Sequence, residues 1–339
     1  MSNTRRPWAI AAAAALAAAT MLSGCGSTGG DAAKTATDNI ISIAASEPQN
    51  PLVPGNTLET GGGQVNDVLF SGLVGFKADG TAVNEVADKI TPNADNTKFD
   101  VTLKSGWKFT DGTPVTSESF TKAWSYTANL KNGQLCASYL AMIKGYDDLQ
   151  KDGLKGDEQL SGLKVIDDTH FTIELSKPYS VFPVVLGFAG YYPLPESFYK
   201  DPKAFGENPV GNGAYKFKKW EHNKEIDVVK NPDYKGSFPA KNDGVNFMLY
   251  TSPQAAYADV LSGNLDVMDT VPSSVAGSLK TAKGVQVYNE PGSSITMFVI
   301  TQDYPHFGPG KEGQLRRQAI SMAINRQNIC DKIMAEIGR

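Results

Sequence analysis

The stretch from Lys98 to Trp124, "KFDVTLKSGWKFTDGTPVTSESFTKAW", constrains the fold most. Phe99, Val101 and Leu103 alternate with Asp100, Thr102 and Lys104, the period-two pattern of a strand with one face on a core and the other in water. Asp111-Gly112 then supplies a turn and Pro114 stiffens the exit. Thr116 or Ser117 can cap a helix that carries Phe120, Ala123, Trp124 and Thr127 at helical spacing. Such an aromatic stripe reads as core, packed on a sheet, rather than as a cofactor box.

Similar signals recur along the chain. "NIISIAASEP" alternates at Ile41 and Ile43 and breaks at Pro48. "HFTIELSKPY" alternates at Phe171, Ile173 and Leu175, and "EIDVVKNPDY" at Ile226 and Val228 before Asn231-Pro232 ends it. "GVNFMLYT" reads as a strand and "PQAAYADVLSG" as a helix stopped by Gly263. Strands and helices are mixed without regular βαβ alternation, which predicts a mixed α+β or α/β architecture. At 339 residues the chain is long enough for about two domains. An amphipathic helix is expected from Leu315 onward. Leu315, Ala319, Ala323, Ile324, Ile329, Ile333 and Ile337 form an apolar stripe that needs a partner surface.

Composition and motifs exclude several functions. A net charge of −4, with no Lys/Arg cluster beyond the N-terminus, gives no footprint for nucleic acid. His170, His222 and His306 are scattered, with no HExxH or Cys/His cluster, so no metal site is expected. There is no GxSxG. "VGNGAY" and the Gly61 to Gly63 run lack the GK[ST] of a phosphate loop, so these glycines read as turn formers. The acidic pairs Asp147-Asp148 and Asp167-Asp168 fall in turns and read as solvated. No catalytic residue and no cofactor is expected, and an exported hydrolase is the weaker alternative.

The N-terminus reads as an export signal. Arg5 and Arg6 precede an uncharged run from Trp8 to Leu22, short for a membrane span but suited to a signal peptide's apolar region. Pro7-Trp8 does not continue a twin-arginine motif. "LSGC" resembles the bacterial lipoprotein lipobox, which implies residues 1–24 as signal peptide and a lipid on Cys25. Residues 25–39 are Gly/Ser/Thr/Ala-rich and read as a tether. Cys136 and Cys330 remain, without CxxC spacing; export permits a disulfide between them, and two free thiols are the other reading.

"DVLFSGLVGFKADG", "LKVIDDTHFTIELSKPY", "PVGNGAYKFKKWEHNKEIDVVKNPDY", "VLSGNLDVMDTVP" and "LRRQAISMAINRQNI", with the stretch that opens this section, occur in collinear order. Together they resemble the extracytoplasmic solute-binding proteins of ABC importers, in the oligopeptide/dipeptide-binding class, family 5. The resemblance implies a periplasmic-binding-protein fold of two lobes with a small inserted domain. Lobe I would comprise 40–57 and 164–285, the inserted domain 58–163, and the start of an incomplete lobe II 286–339.

The implied function is lipid-anchored capture of a peptide or similar solute between the lobes. The solute would pass to an ABC permease and its ATPase subunits, and the protein would be a monomer on the outer face of the cytoplasmic membrane or in the periplasm. Sugars and nickel complexes are other solutes of the class, and a truncated or split fragment is the alternative reading. By the resemblance, Ser46, Glu47, Pro48 and Gln49 line the cleft from lobe I and Tyr139 from the inserted domain. Thr296 and Met297 lie on the hinge-crossing strand "SSITMFVIT", at positions where the family often carries aromatics.

Overall fold

The computed structural model describes residues 39–288 and 296–333. The signal segment, Cys25 and the tether through residue 38 lie outside these, as do residues 293–295 of the expected hinge strand, and Ile337.

Two four-stranded sheets organise the described chain. In the first, β1 (Ile40–Ala45) pairs in parallel with β10 (Gly244–Leu249), setting Ile41 beside Val245 and Ile43 beside Phe247. The sheet continues antiparallel through β9 (Glu225–Lys230) to β8 (Tyr215–Glu221). Ile226, Val228 and Phe247 are buried between more open neighbours, as alternation predicts, and Val245 is buried beside a buried Gly244.

The second sheet has the order β4 (Ala87–Pro92), β5 (Lys98–Leu103), β7 (His170–Glu174), β6 (Leu163–Asp167), all antiparallel. Its strands β4 and β5 come before residue 163, and β6 and β7 lie from it onward. A short hairpin joins β2 (Val74–Phe76) to β3 (Ala82–Asn84).

The opening stretch folds as its pattern dictates. Gly112 adopts a left-handed φ of 87°, with Thr113 N–H donated to Asp111 Oδ1 at 2.9 Å. Thr116 is the N-cap of α2 (Ser117–Ala128), and its N–H is donated to Ser119 Oγ at 3.1 Å. From α2, Phe120 and Trp124 reach Phe171 of β7 at ring-centroid distances of 6.1 and 5.8 Å, which closes the sheet's inner face. Trp124, fully buried, donates Nε1–H to the Tyr191 carbonyl at 2.8 Å, so its one polar group is satisfied. Tyr191 in turn donates its hydroxyl to the Tyr139 carbonyl at 2.6 Å, carrying the rigidity of the core out to a candidate site residue.

The remaining helices are α1 (Thr60–Leu69), α3 (Phe182–Val185), α4 (Pro202–Glu207), α5 (Pro253–Ser262), α6 (Lys311–Ala323) and α7 (Arg326–Lys332). Gly263, at φ 77°, caps α5 as its sequence signals. Three expectations are corrected. Gly61 to Gly63 form the first turn of α1, not a loop. The helix expected from Leu315 starts at Lys311 and breaks at Ile324–Asn325, because the Asn325 side chain accepts from Asn328 N–H at 2.9 Å and starts α7 as a new helix. Thr296 to Thr301 pair with no strand among the described residues, and a β-segment without a partner leaves its backbone to water.

Cys136 and Cys330 are both free thiols, not a disulfide. Cys136 is fully buried with Sγ 3.5 Å from the Thr57 carbonyl, and burial pushes its pKa up to about 11.

Candidate functional site

The exposed face of α1 forms the floor of a groove of about 920 Å³. Glu59, Gly63 and Asp67, spaced four apart, line it from the helix, and Val74 to Phe76 of β2 form one side. The 184–192 loop contributes Phe188 and Tyr192, and Tyr139 arrives from the short helical turn Ala137–Leu140. Tyr215 at the start of β8, with Tyr234 and Phe238 from the loop after β9, closes the far side. Tyr139 and Phe188 lie ring to ring at 4.5 Å. Tyr192 rests on the backbone of Gly72, where a Cβ would come within 2.9 Å of its ring.

The charged groups in the groove are all acidic. The lining holds the carboxylates Glu59, Asp67 and Glu85 and not one Lys, Arg or His. Glu59 is spent on structure: as N-cap of α1 it accepts from Gly62 N–H at 2.9 Å and from Gln49 N–H at 3.3 Å. Glu85, 2% exposed, accepts from the Tyr234 hydroxyl and from Ser237 N–H at 3.1 Å, and both its oxygens are engaged. Asp67 differs. Its Oδ1 takes a long 3.3 Å bond from the Tyr192 hydroxyl, and its Oδ2 has no hydrogen-bond partner among the described residues. The residue is exposed to solvent; the surroundings of the carboxyl still push it above the usual carboxylate range by desolvation, and the Tyr192 hydroxyl acts the other way.

The residues expected from sequence fall in three places. Tyr139 is in the groove, 47% exposed. Ser46 to Gln49 lie outside its lining, against the N-terminal turn of α1, where Gly61 packs on the Ser46 carbonyl and Gln49 N–H reaches Glu59. Within that segment the Glu47 carboxylate turns away to the β8–β9 connection. Glu47 Oε1 is 2.8 Å from His222 Nδ1, and its Oε2 accepts from Asn223 N–H at 2.8 Å. His222 Nε2 lies 3.1 Å from Glu207 Oε2, and the imidazole is lifted above the usual histidine range, chiefly by Glu47 and also by Glu207, against partial desolvation. Thr296 and Met297 are exposed and not in the groove.

Asp67, Phe188, Tyr192, Tyr215, Tyr234 and Phe238 were not singled out from sequence. The four-residue spacing of Glu59, Gly63 and Asp67 was the available signal, masked by the three glycines that hide the start of α1. Among the described residues no three His, Cys, Asp or Glu side chains gather as a metal site, and no helix is long and apolar enough to cross a membrane.

The dipeptide-binding protein DppE of Bacillus subtilis is 25% identical over 97% of this chain and 60% of its own length. The solved structure of the Escherichia coli murein tripeptide binding protein MppA superposes with a TM-score of 0.76 at 25% identity, over 87% of this chain and 57% of that one. Haemophilus influenzae OppA, solved in complex with RPPGFSPFR, gives 0.67 at 25% identity, over 72% and 48%. The chain thus spans about half to three-fifths of the relatives it matches, and the fold is that of the two-lobe periplasmic binding proteins, represented in part. Residues 81–339 match the family described as bacterial extracellular solute-binding proteins, family 5 Middle, and to that family the chain belongs.

Proposed function

We propose that the groove on α1 is one wall of the solute site of an ABC-importer binding protein, and that its solute is a peptide. The observation that carries this is an open trough lined by aromatic side chains, with two of its three carboxylates already committed to the fold. Such a surface suits an extended chain held by stacking and backbone contacts rather than a sugar, which needs many side-chain hydrogen bonds, or a metal complex. The relatives named for dipeptide, murein tripeptide and peptide ligands support the same class.

In this reading Tyr139 stacks on the solute, Ser46 to Gln49 form the rim at the end of α1, and Thr296 and Met297 belong to the opposite wall. In it lobe I comprises 40–57 and 164–285, the inserted domain 58–163, and the start of lobe II 286–339. The protein is exported, tethered by a lipid on Cys25, and hands its solute to a permease driven by ATPase subunits. A second reading, that further polypeptide completes the site, is favoured by the open apolar surface at Met297, Phe298 and Val299, 65%, 59% and 81% exposed.

Titration of the chain with trialanine, maltose and nickel–histidine, followed by NMR, tests the groove. Trialanine is expected to shift the resonances of Tyr139, Tyr192 and Tyr234, and the other two are not. Silence toward trialanine at millimolar concentration, or a response to maltose alone, would overturn the reading. Replacing Cys25 by Ala is expected to move the protein from the membrane fraction to the soluble exported fraction; retention at the membrane would remove the lipid anchor from the proposal.

A further inference from the structure

A peptide groove can be indifferent to charge or can select for it, and the difference lies in which charged groups in its lining are still free to act. Two of the three carboxylates here are occupied: Glu59 by the first turn of α1, and Glu85 by Tyr234 and Ser237. Asp67 alone has acceptor capacity left, with Oδ2 unpartnered among the described residues and Oδ1 held only by a long bond from Tyr192. No cation in the lining can neutralise it. Aromatic faces stand in the same groove, among them Tyr192 in contact with Asp67 and the tilted pair Tyr139 and Phe188, and such faces attract cations.

We infer that the groove selects solutes carrying a positive charge, and that an ammonium or guanidinium group of the solute seats on Asp67 beside Tyr192. This rests on the groove being the solute site. An arriving cation offsets the cost of holding the Asp67 charge in the groove, and because the side chain is exposed the pair is screened by water and salt. An acidic solute meets the opposite field: an unneutralised Asp67 with no basic residue in the lining to offset it.

The test uses three blocked tripeptides, Ac-Ala-Lys-Ala-NH2, Ac-Ala-Gln-Ala-NH2 and Ac-Ala-Glu-Ala-NH2, titrated into the chain and into its Asp67→Asn variant. Asn keeps the acceptor for Tyr192 and the side-chain shape, and a thermal melt checks that the variant is folded. The lysine peptide is expected to bind about tenfold more tightly than the glutamine peptide, and the glutamate peptide most weakly. Asp67→Asn should erase the lysine preference, so that the lysine and glutamine peptides bind alike, and added salt should weaken only the lysine peptide in the unsubstituted chain. Equal binding of all three, or a lysine preference that survives Asp67→Asn, overturns the charge selection while leaving the groove as the peptide site. Failure of every peptide to bind overturns the groove and this inference together.

Discussion

At the residue scale the most informative side chain is Glu47, which family resemblance assigns to the cleft and which the structure ties to His222 and Asn223. The two assignments are compatible only if Glu47 acts through position, as the strut that ties the segment Ser46 to Gln49 to the β8–β9 connection. The strut titrates. A histidine whose folded pKa is raised stabilises the fold fully below its unfolded value of about 6.5, and that contribution disappears as pH rises through the folded value. With the His222 side chain 54% exposed, solvent screening keeps the contribution under about 1 kcal/mol. His222→Gln should therefore lower the melting temperature by a few degrees at most at about pH 6 and not at all at about pH 9; a difference that is equal at both pH values, or larger at the higher one, would remove the ion pair from the account. Glu47 itself was legible in the sequence beside Pro48, at a strand's end. Its partner was not, because 175 positions separate it from His222 and neither residue's local pattern points to the other.

At the scale of elements, alternation and capping made most strands and α2 readable, since a half-buried strand and an amphipathic helix write their periods into the chain. The reading failed where a tertiary contact overrode local propensity. Three successive glycines argue against a helix, each costing about 1 kcal/mol relative to alanine, yet α1 begins there because at Gly61 a Cβ would collide with the Ser46 carbonyl. The same geometry leaves Gly63 facing open space, with no atom within 4 Å of where its Cβ would stand. Alanine at these two positions should have opposite effects. Gly63→Ala should stabilise the protein by up to about 1 kcal/mol. Gly61→Ala should destabilise it by about 1–3 kcal/mol, because the clash outweighs the gain in helix propensity. Urea denaturation of both variants decides it, and stabilisation by Gly61→Ala would mean that the 46–49 segment does not rest on α1. The break at Asn325 was missed for a simpler reason: the apolar stripe continues across it, and an asparagine N-cap inside a periodic run is easily read as one more polar residue.

Across the whole molecule, burial is divided very unequally. Every member of the main hydrophobic core lies between Leu52 and Phe247, while in α6 and α7 only Gly313 is buried. Leu315, Met322, Ile329 and Ile333 are 50%, 76%, 44% and 58% exposed, so the apolar stripe read from the sequence is present but uncovered. What holds this part together is local. Arg317 donates to the carbonyls of Phe307 and Gly308, and Glu312 bridges His306 and Arg316. A helix of 13 residues with only Gly313 buried among the described residues sits near the length at which isolated helices are marginal in water, about 12–15 residues. Opening of α6 therefore need not await opening of the core, and its free energy should be small against that of β5 and β7, whose Phe99, Val101, Phe171 and Ile173 are fully buried. Native-state hydrogen exchange of the chain in the absence of other proteins should show the amides of Lys311–Ala323 exchanging at least about a hundredfold faster than those of β5 and β7. Protection in α6 equal to that of the central strands would mean that its apolar face is covered in solution, by a second copy or by a rearrangement of this chain, and repeating the exchange at tenfold dilution separates the two, because only a surface covered by association loses protection as concentration falls.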